Sequence, residues 1–283
     1  AYAGKAYLID LPTLQQEGLL EPGEPEGFFW GQDPGRADFG LLYQSRRKVL
    51  TLAHARFRPD EAYEAFCREN AHWLGDYALY MTLKDKFQGL PWYRWEEPLK
   101  HREPEALWQV RQSLGKKLDF YKFIQYQFYR QWNALRQYAK EKGIAVLGDV
   151  PIYVPLDSCE VWCNPELFQL DENLTPTAVA GCPPDAFSDE GQLWGNPLYR
   201  WERHKADGYS WWIRRLSAAG RLYDGVRLDH FRGFESYWAV PYGDETAKNG
   251  KWEKGPGLDF IKAMEKALPE ISFVAEDLGL LTP

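Results

Sequence analysis

One pattern recurs along the chain and limits its folds more than any other: a helical stretch, a tight turn, a short apolar run, then an acid. Gly143 closes a long amphipathic stretch ahead of the apolar residues 144–147 and Asp149. Gly220 does the same ahead of residues 225–228 and Asp229, and Pro269 ahead of residues 271–275 and Glu276. Helices that alternate with short apolar strands build a parallel sheet, because each crossover between parallel strands needs a connection that a helix supplies. Acids at the C-terminal ends of such strands, with long loops beyond, match the working face of a (β/α)8 barrel. Three strands are legible in this way, with a fourth at residues 6–10. A closed barrel needs more, so the expected fold is α/β of the TIM-barrel type, incomplete in this chain, with a helical insertion and a long loop subdomain.

The stretch Val226-Arg227-Leu228-Asp229-His230-Phe231-Arg232-Gly233-Phe234 is the most informative for chemistry. Strand side chains alternate faces, so Arg227 and Asp229 are expected on one face and Leu228 and His230 on the other. A guanidinium beside a carboxylate fixes its oxygens and favours its charged form, which an attacking carboxylate needs. The second run, Ser272-Phe273-Val274-Ala275, ends in Glu276-Asp277. Two strands that deliver carboxylates to one place point to glycoside chemistry. Taken alone, the same residues admit plainer readings. Arg227 and Asp229 could be an ion pair at a strand end, Glu276 with Asp277 a helix N-cap cluster, and Asp149 a turn former ahead of Pro151.

Between these runs the periodicity predicts helices over residues 11–20, 43–55, 76–87 and 117–141, and another that begins after Asp60 as N-cap. Further helices are expected over 209–219 and 258–268, with loops over 155–207 and 233–257. The expected organisation is a barrel segment at 1–20, a mostly helical insertion at 21–115, and a second barrel segment at 116–154. A loop subdomain with a substrate flap follows at 155–207, and a barrel segment with the acids at 208–283.

At 283 residues, 45% of them apolar, the chain can bury a real core. A formal net charge of -7 argues against nucleic acid and membrane surfaces as partners, since both attract basic proteins. No apolar run is long enough to span a bilayer. Ala1-Tyr2-Ala3-Gly4-Lys5 lacks the charged-then-apolar order of a secretory signal, and the expected location is cytoplasmic. Cys67, Cys159, Cys163 and Cys182 are few for a chain of this size and fit reduced thiols better than a disulfide framework. Cys159 and Cys163 stand four apart with no histidine among the set, which is not a zinc pattern, so neither metal nor cofactor is expected. The 13 Trp, 17 Tyr and 15 Phe suit either a ring-rich core or a sugar-stacking groove, and composition does not choose between them.

Four stretches together are specific. They are Gly148-Asp149-Val150-Pro151-Ile152-Tyr153-Val154; Pro183-Pro184-Asp185-Ala186-Phe187-Ser188 with Gly191-Gln192-Leu193-Trp194-Gly195-Asn196-Pro197-Leu198-Tyr199; Val226 to Phe234; and Val274-Ala275-Glu276-Asp277-Leu278-Gly279. With the opening Ala3-Gly4-Lys5-Ala6-Tyr7-Leu8-Ile9-Asp10-Leu11, they resemble the 4-α-glucanotransferases (amylomaltases or disproportionating enzymes) of glycoside hydrolase family 77, in the α-amylase clan. The resemblance extends over essentially the whole chain. It implies Asp229 as nucleophile, Glu276 as general acid/base, Arg227 as the group that orients the nucleophile, and Asp149 beside the donor sugar. It further implies a flexible flap around Asp185–Trp194, with Phe187 and Trp194 shaping a groove and Asn196 and His230 near the substrate. By themselves Phe187 and Trp194 could equally anchor the loop.

The implied partners are α-1,4-glucans, and the sequence sets no oligomeric state. Many relatives carry an aromatic where this chain has Ala186, so that stacking contact does not carry over. Relatives also begin with an earlier strand and end with a later motif that supplies a third carboxylate. The chain is therefore expected to be the central portion of such an enzyme. A retaining mechanism implies carboxyl groups about 5–5.5 Å apart. The other reading in the same clan is an α-glucan hydrolase or debranching enzyme, and a third is a glucan-binding fragment without activity.

Overall fold

The computed structural model describes residues 2–33 and 35–276, so Asp277, Leu278 and Gly279 of the last motif lie outside the described residues. The chain divides into two compact units. Among the described residues one holds Ala3–Gly89 and Glu103–Tyr138, and the other holds Tyr2, Leu90–Arg102 and residues 139–276.

The first unit is helical. Asp10 caps α1 (Leu11–Gln16), its side chain accepting from the Thr13 amide at 2.8 Å. Asp38 caps α2 (Phe39–Arg56) in the same way. Asp60, marked in the sequence as an N-cap, accepts from the Tyr63 amide at 2.8 Å and starts α3 (Glu61–Glu69). Then come α4 (Ala71–Lys86), α5 (Glu97–Lys100, within the other unit's segment), α6 (Pro104–Ser113) and the 27-residue α7 (Gly115–Glu141). Phe120, Phe123, Ile124 and Tyr126 of α7 are buried, and Phe57 packs on Phe123 at 4.9 Å between ring centres. Residues 6–10 are not a strand. Ala6–Leu8 form a 3-10 turn, and Arg46 donates to the carbonyls of Tyr7 and Ile9 at 2.7 and 2.9 Å. That guanidinium takes the acceptors a neighbouring strand would have used.

The second unit contains two sheets. Strands β1 (Leu147–Val150), β2 (Ala178–Cys182), β3 (Gln192–Pro197), β4 (Gly225–Leu228), β5 (Ser236–Pro241), β6 (Lys251–Lys254) and β7 (Ser272–Ala275) alternate with α8 (Cys159–Cys163), α9 (Trp201–Ala206), α10 (Ser210–Leu222) and α11 (Leu258–Ala267). The first sheet is parallel, in the order β1-β4-β7. It is the expected set of three acid-bearing strands. The second is antiparallel, in the order β3-β2-β5-β6, so the stretches expected as loops carry ordered pairing. Apolar residues 144–147 also differ from expectation. The strand begins at Leu147, and Ile144 and Leu147 are exposed rather than buried.

A ring cluster fills the space beside the parallel sheet. Phe234 stacks on Phe260 with centroids 4.5 Å apart, and Trp201, Trp211, Trp212 and Tyr199 are all buried around them. Arg215 of α10 is 4% exposed and sits 5.4 and 4.9 Å from the rings of Trp211 and Trp212. It donates to the carbonyls of Pro151 and Ile152 at 2.5 and 3.1 Å. A buried cation thus fixes the backbone just beyond β1, where Asp149 stands.

His204 of α9 lies in the same cluster, fully buried, with Nε2 3.3 Å from the Leu167 carbonyl. Its Nδ1 has no hydrogen-bond partner among the described residues. Burial lowers its pKa to about 4, against the pull of that carbonyl and Asp207. A folded value below the unfolded one means the contribution is whole above about pH 6.5 and lost as pH falls towards 4, at most about 3 kcal/mol. His204→Phe should therefore flatten the loss of urea stability between pH 6.5 and 4 relative to the parent chain. Equal slopes would show that another group carries it.

Candidate active site

The parallel register decides which side chains meet. Asp149 pairs with Arg227, Val150 with Leu228, Arg227 with Val274, and Leu228 with Ala275. Partners in a parallel ladder point to the same face, so Val226 and Leu228 enter the core while Asp149 and Arg227 share the other side. The ladder continues one step past the strands. The Asp229 amide donates to the Val150 carbonyl at 3.0 Å, and the Glu276 amide to the Leu228 carbonyl at 3.2 Å. Asp229 and Glu276 therefore leave neighbouring strands at the same level.

Arg227 gathers all three acids. Its Nη1 lies 2.7 Å from Asp149 Oδ1 and 3.0 Å from Asp229 Oδ1, and its Nη2 lies 2.8 Å from Glu276 Oε1. The second oxygen of Glu276 accepts from the His230 amide. Glu276 is the most enclosed of the three, its side chain 14% exposed against 42% for Asp229 and 61% for Asp149. The guanidinium is pushed further up in pKa by these neighbours, Asp149 foremost. Three carboxylates on one cation leave an excess of negative charge at an accessible strand end. Such a field stabilises positive charge that develops on a bound molecule.

The strict alternation expected of His230 ends with the strand. His230 has left-handed backbone, φ +49°, and opens a 3-10 turn at Phe231–Phe234. Its ring packs edge-on to Trp194, centroids 4.8 Å apart, and burial lowers its pKa against the opposing pull of Asp229. Trp194 in turn lies 6.2 Å from the Tyr153 ring, and Tyr153 stacks on Tyr199. Trp194 and His230 thus form an aromatic wall beside the acids.

The stretch between β2 and β3 is a loop organised by its own hydrogen bonds. Asp185 Oδ1 accepts from the amides of Phe187 and Ser188 at 2.8 and 2.9 Å, and the Ser188 hydroxyl donates to the Gly191 carbonyl at 2.9 Å. Asp185 thereby shapes the loop, and Phe187 at its tip is 97% exposed. Asn196 is half-buried in β3. The structure therefore brings Asp149, Arg227, Asp229, Glu276 and His230 together with Trp194. No hydrogen bond or ion pair joins Asp185, Phe187 or Asn196 to the acids among the described residues.

Two neighbours of the site went unnoticed in the sequence. Tyr153 stands in the first motif, four residues past Asp149, and that spacing was the available signal. Cys182, weighed only as a metal or disulfide residue, ends β2. Its thiol is pushed up by burial first and then by the Asp185 and Glu276 carboxylates, so it lies near both the loop and the acids. Among the described residues no group of three or more His, Cys, Asp or Glu side chains could hold a metal ion, and no helix is long and apolar enough to cross a membrane.

Comparison with known proteins gives concordant results. A family model described as 4-alpha-glucanotransferase, of glycoside hydrolase family 77, matches residues 1–283. The chain is 47% identical over 281 residues to a 4-alpha-glucanotransferase of Aquifex aeolicus, covering 99% of this chain and 57% of that protein. It is 47% identical over 292 residues to one of Thermus thermophilus, covering 100% and 57%. The structure superposes on an amylomaltase from Streptococcus agalactiae in complex with acarbose with a TM-score of 0.95 at 39% identity, covering all of this chain and 58% of that one. An amylomaltase from Corynebacterium glutamicum, at 18% identity and a TM-score of 0.76, shares the fold. The chain thus spans under three-fifths of the length of the curated relatives it matches.

Proposed function

We propose that this chain, which belongs to the 4-alpha-glucanotransferase family of glycoside hydrolase family 77, supplies the acid pair of an enzyme that moves α-1,4-glucan segments to the 4-hydroxyl of an acceptor glucan or glucose. The activity is proposed for a protein of the relatives' full length. The observation that carries the reading is the single guanidinium of Arg227 shared by Asp229 and Glu276 at the ends of adjacent parallel strands.

Asp229 attacks the anomeric carbon while Glu276 protonates the departing glycosidic oxygen, and a covalent glycosyl-enzyme forms. Glu276 then takes the proton from the acceptor hydroxyl, which displaces Asp229 with net retention. Arg227 holds the attacking oxygen in place. Asp149, the most exposed acid, faces the donor sugar and adds negative charge opposite the oxocarbenium-like carbon. Trp194 and His230 give the sugar an aromatic wall, and the loop from Asp185 to Trp194, with Phe187 at its tip and Asn196 behind, closes over the bound glucan. Transfer and hydrolysis differ only in which nucleophile arrives second, so exclusion of water by that loop favours transfer. The acarbose complex of the Streptococcus agalactiae relative supports an oligosaccharide-sized site.

Incubating a protein of the family's full length with maltotriose tests this directly. Glucose together with a ladder of longer and shorter maltooligosaccharides is the expected result. Maltose and glucose alone would replace the transferase reading with a hydrolase. The 283-residue chain by itself is expected to transfer barely, if at all, and robust turnover by it would show that the acids here suffice.

A further inference from the structure

The short helix α8 carries two thiols one turn apart. The sulfurs of Cys159 and Cys163 lie 3.7 Å from each other, and both cysteines are reduced. Arg102 donates from Nη1 to Cys163 Sγ at 3.1 Å, while its guanidinium covers the Trp162 ring at 4.3 Å. Arg102 does so from left-handed backbone, φ +56°, which side chains other than glycine rarely take. The helix is pinned on both sides of the pair. Trp162 Nε1 donates to the Leu99 carbonyl at 2.9 Å, and Trp211 Nε1 donates to Glu160 at 3.0 Å. These anchors keep the sulfurs close.

The two thiols are chemically unequal. The Arg102 guanidinium is placed to hold negative charge as it develops on the Cys163 sulfur, so Cys163 is assigned the attack. Cys159 sits the other way. Its hydrogen bond with Cys163, then burial and the Cys163 and Glu160 charges, push its thiol well above the ordinary range. Cys163, held by Arg102, thus takes the attack, and Cys159 takes the resolving step.

We propose that Cys159 and Cys163 form a peroxide-sensitive dithiol that closes reversibly to a disulfide within α8. The Cys163 thiolate attacks one oxygen of hydrogen peroxide. An S–O bond forms, the O–O bond breaks, and the hydroxide that leaves takes up a proton as water. The Cys159 sulfur then attacks the sulfenic sulfur. An S–S bond forms, the S–O bond breaks, and the departing hydroxide takes the Cys159 proton as a second water. The two sulfurs give up two electrons in all, and peroxide accepts both. Closure brings the sulfurs from 3.7 Å to about 2.05 Å, and because Cβ atoms one α-helical turn apart stand about 5–6 Å from each other, the single turn of α8 opens locally to admit the bond. A dithiol reductant restores the pair.

Mass spectrometry of the 283-residue chain after a brief peroxide pulse and alkylation tests the proposal without any assay of turnover. The expected product has lost two hydrogens, with Cys159 and Cys163 protected from alkylation and Cys67 and Cys182 still labelled. Burial pushes the thiols of those two up, and they serve as internal controls. Treatment with dithiothreitol should return both labels. In Cys159→Ser the sulfenic acid at Cys163 is stranded and should give about tenfold more dimedone adduct than Cys159 gives in Cys163→Ser. Full labelling of Cys159 and Cys163 after the pulse, or earlier oxidation of Cys67 or Cys182, would overturn the proposal. Equal adducts in the two variants would do so as well.

Discussion

Asp229→Asn, made in a protein of the family's full length, should lower kcat/KM for maltooligosaccharide transfer by about four orders of magnitude or more. The amide keeps the size and most of the shape of the carboxylate but cannot form the glycosyl ester on which the second step depends. Little else should change. Arg227 retains Asp149 and Glu276 as partners, and the lost ion pair is nearly half exposed, so stability should change little. Steady-state kinetics beside a thermal melt separates the two effects. A variant that melts normally and still transfers glucan at the parental rate would remove Asp229 as the nucleophile.

The second large effect concerns Glu276→Gln, and it depends on the leaving group. Natural glucans depart as alkoxides unless a proton arrives with bond cleavage, so their transfer should fall by about a thousandfold. A donor with an activated leaving group needs no proton to depart, and its first step should fall by only about tenfold. The ratio between the two donors is the informative quantity. Glutamine keeps one oxygen and turns an NH2 towards either Arg227 or the His230 amide, a structural loss that would weaken both donors equally. Equal losses would assign Glu276 to structure rather than proton transfer.

How much was legible before the coordinates depends on the element. Gly225–Leu228 was read with its bounds intact, because a two-residue alternation that ends in an Asp leaves one interpretation, although the helix before it runs through Gly220 to Leu222 rather than stopping there. The 27-residue helix and the Asp60 cap were equally plain, since their periodicity and capping chemistry are local. The antiparallel sheet was not. Ala178–Cys182 is buried at its three central positions and built of small residues, so it shows no alternation. Lys251–Lys254 is mostly charged and stands beside Gly250 and Gly255, which signal turns. Both strands exist through pairing with distant partners, and single-sequence patterns do not contain that information.

The candidate site divides along the same line. Asp149, Asp229 and Glu276 were visible because each follows a short apolar run. Their meeting on one guanidinium follows from strand order and register, which only the folded chain displays. The turn of His230 towards Trp194 depends on one left-handed residue and was invisible to the alternation rule.

The matched level at which Asp229 and Glu276 leave β4 and β7 has a practical corollary. A slip of one residue between those strands would hand the neighbouring position to alanine or to the following aspartate, and turn the glutamate towards the hydrophobic side. Packing of β7, which is mostly exposed, would tolerate such an error far better than proton transfer would. Specific activity per folded molecule, rather than melting temperature, is therefore the sensitive gauge of whether a preparation has been assembled correctly.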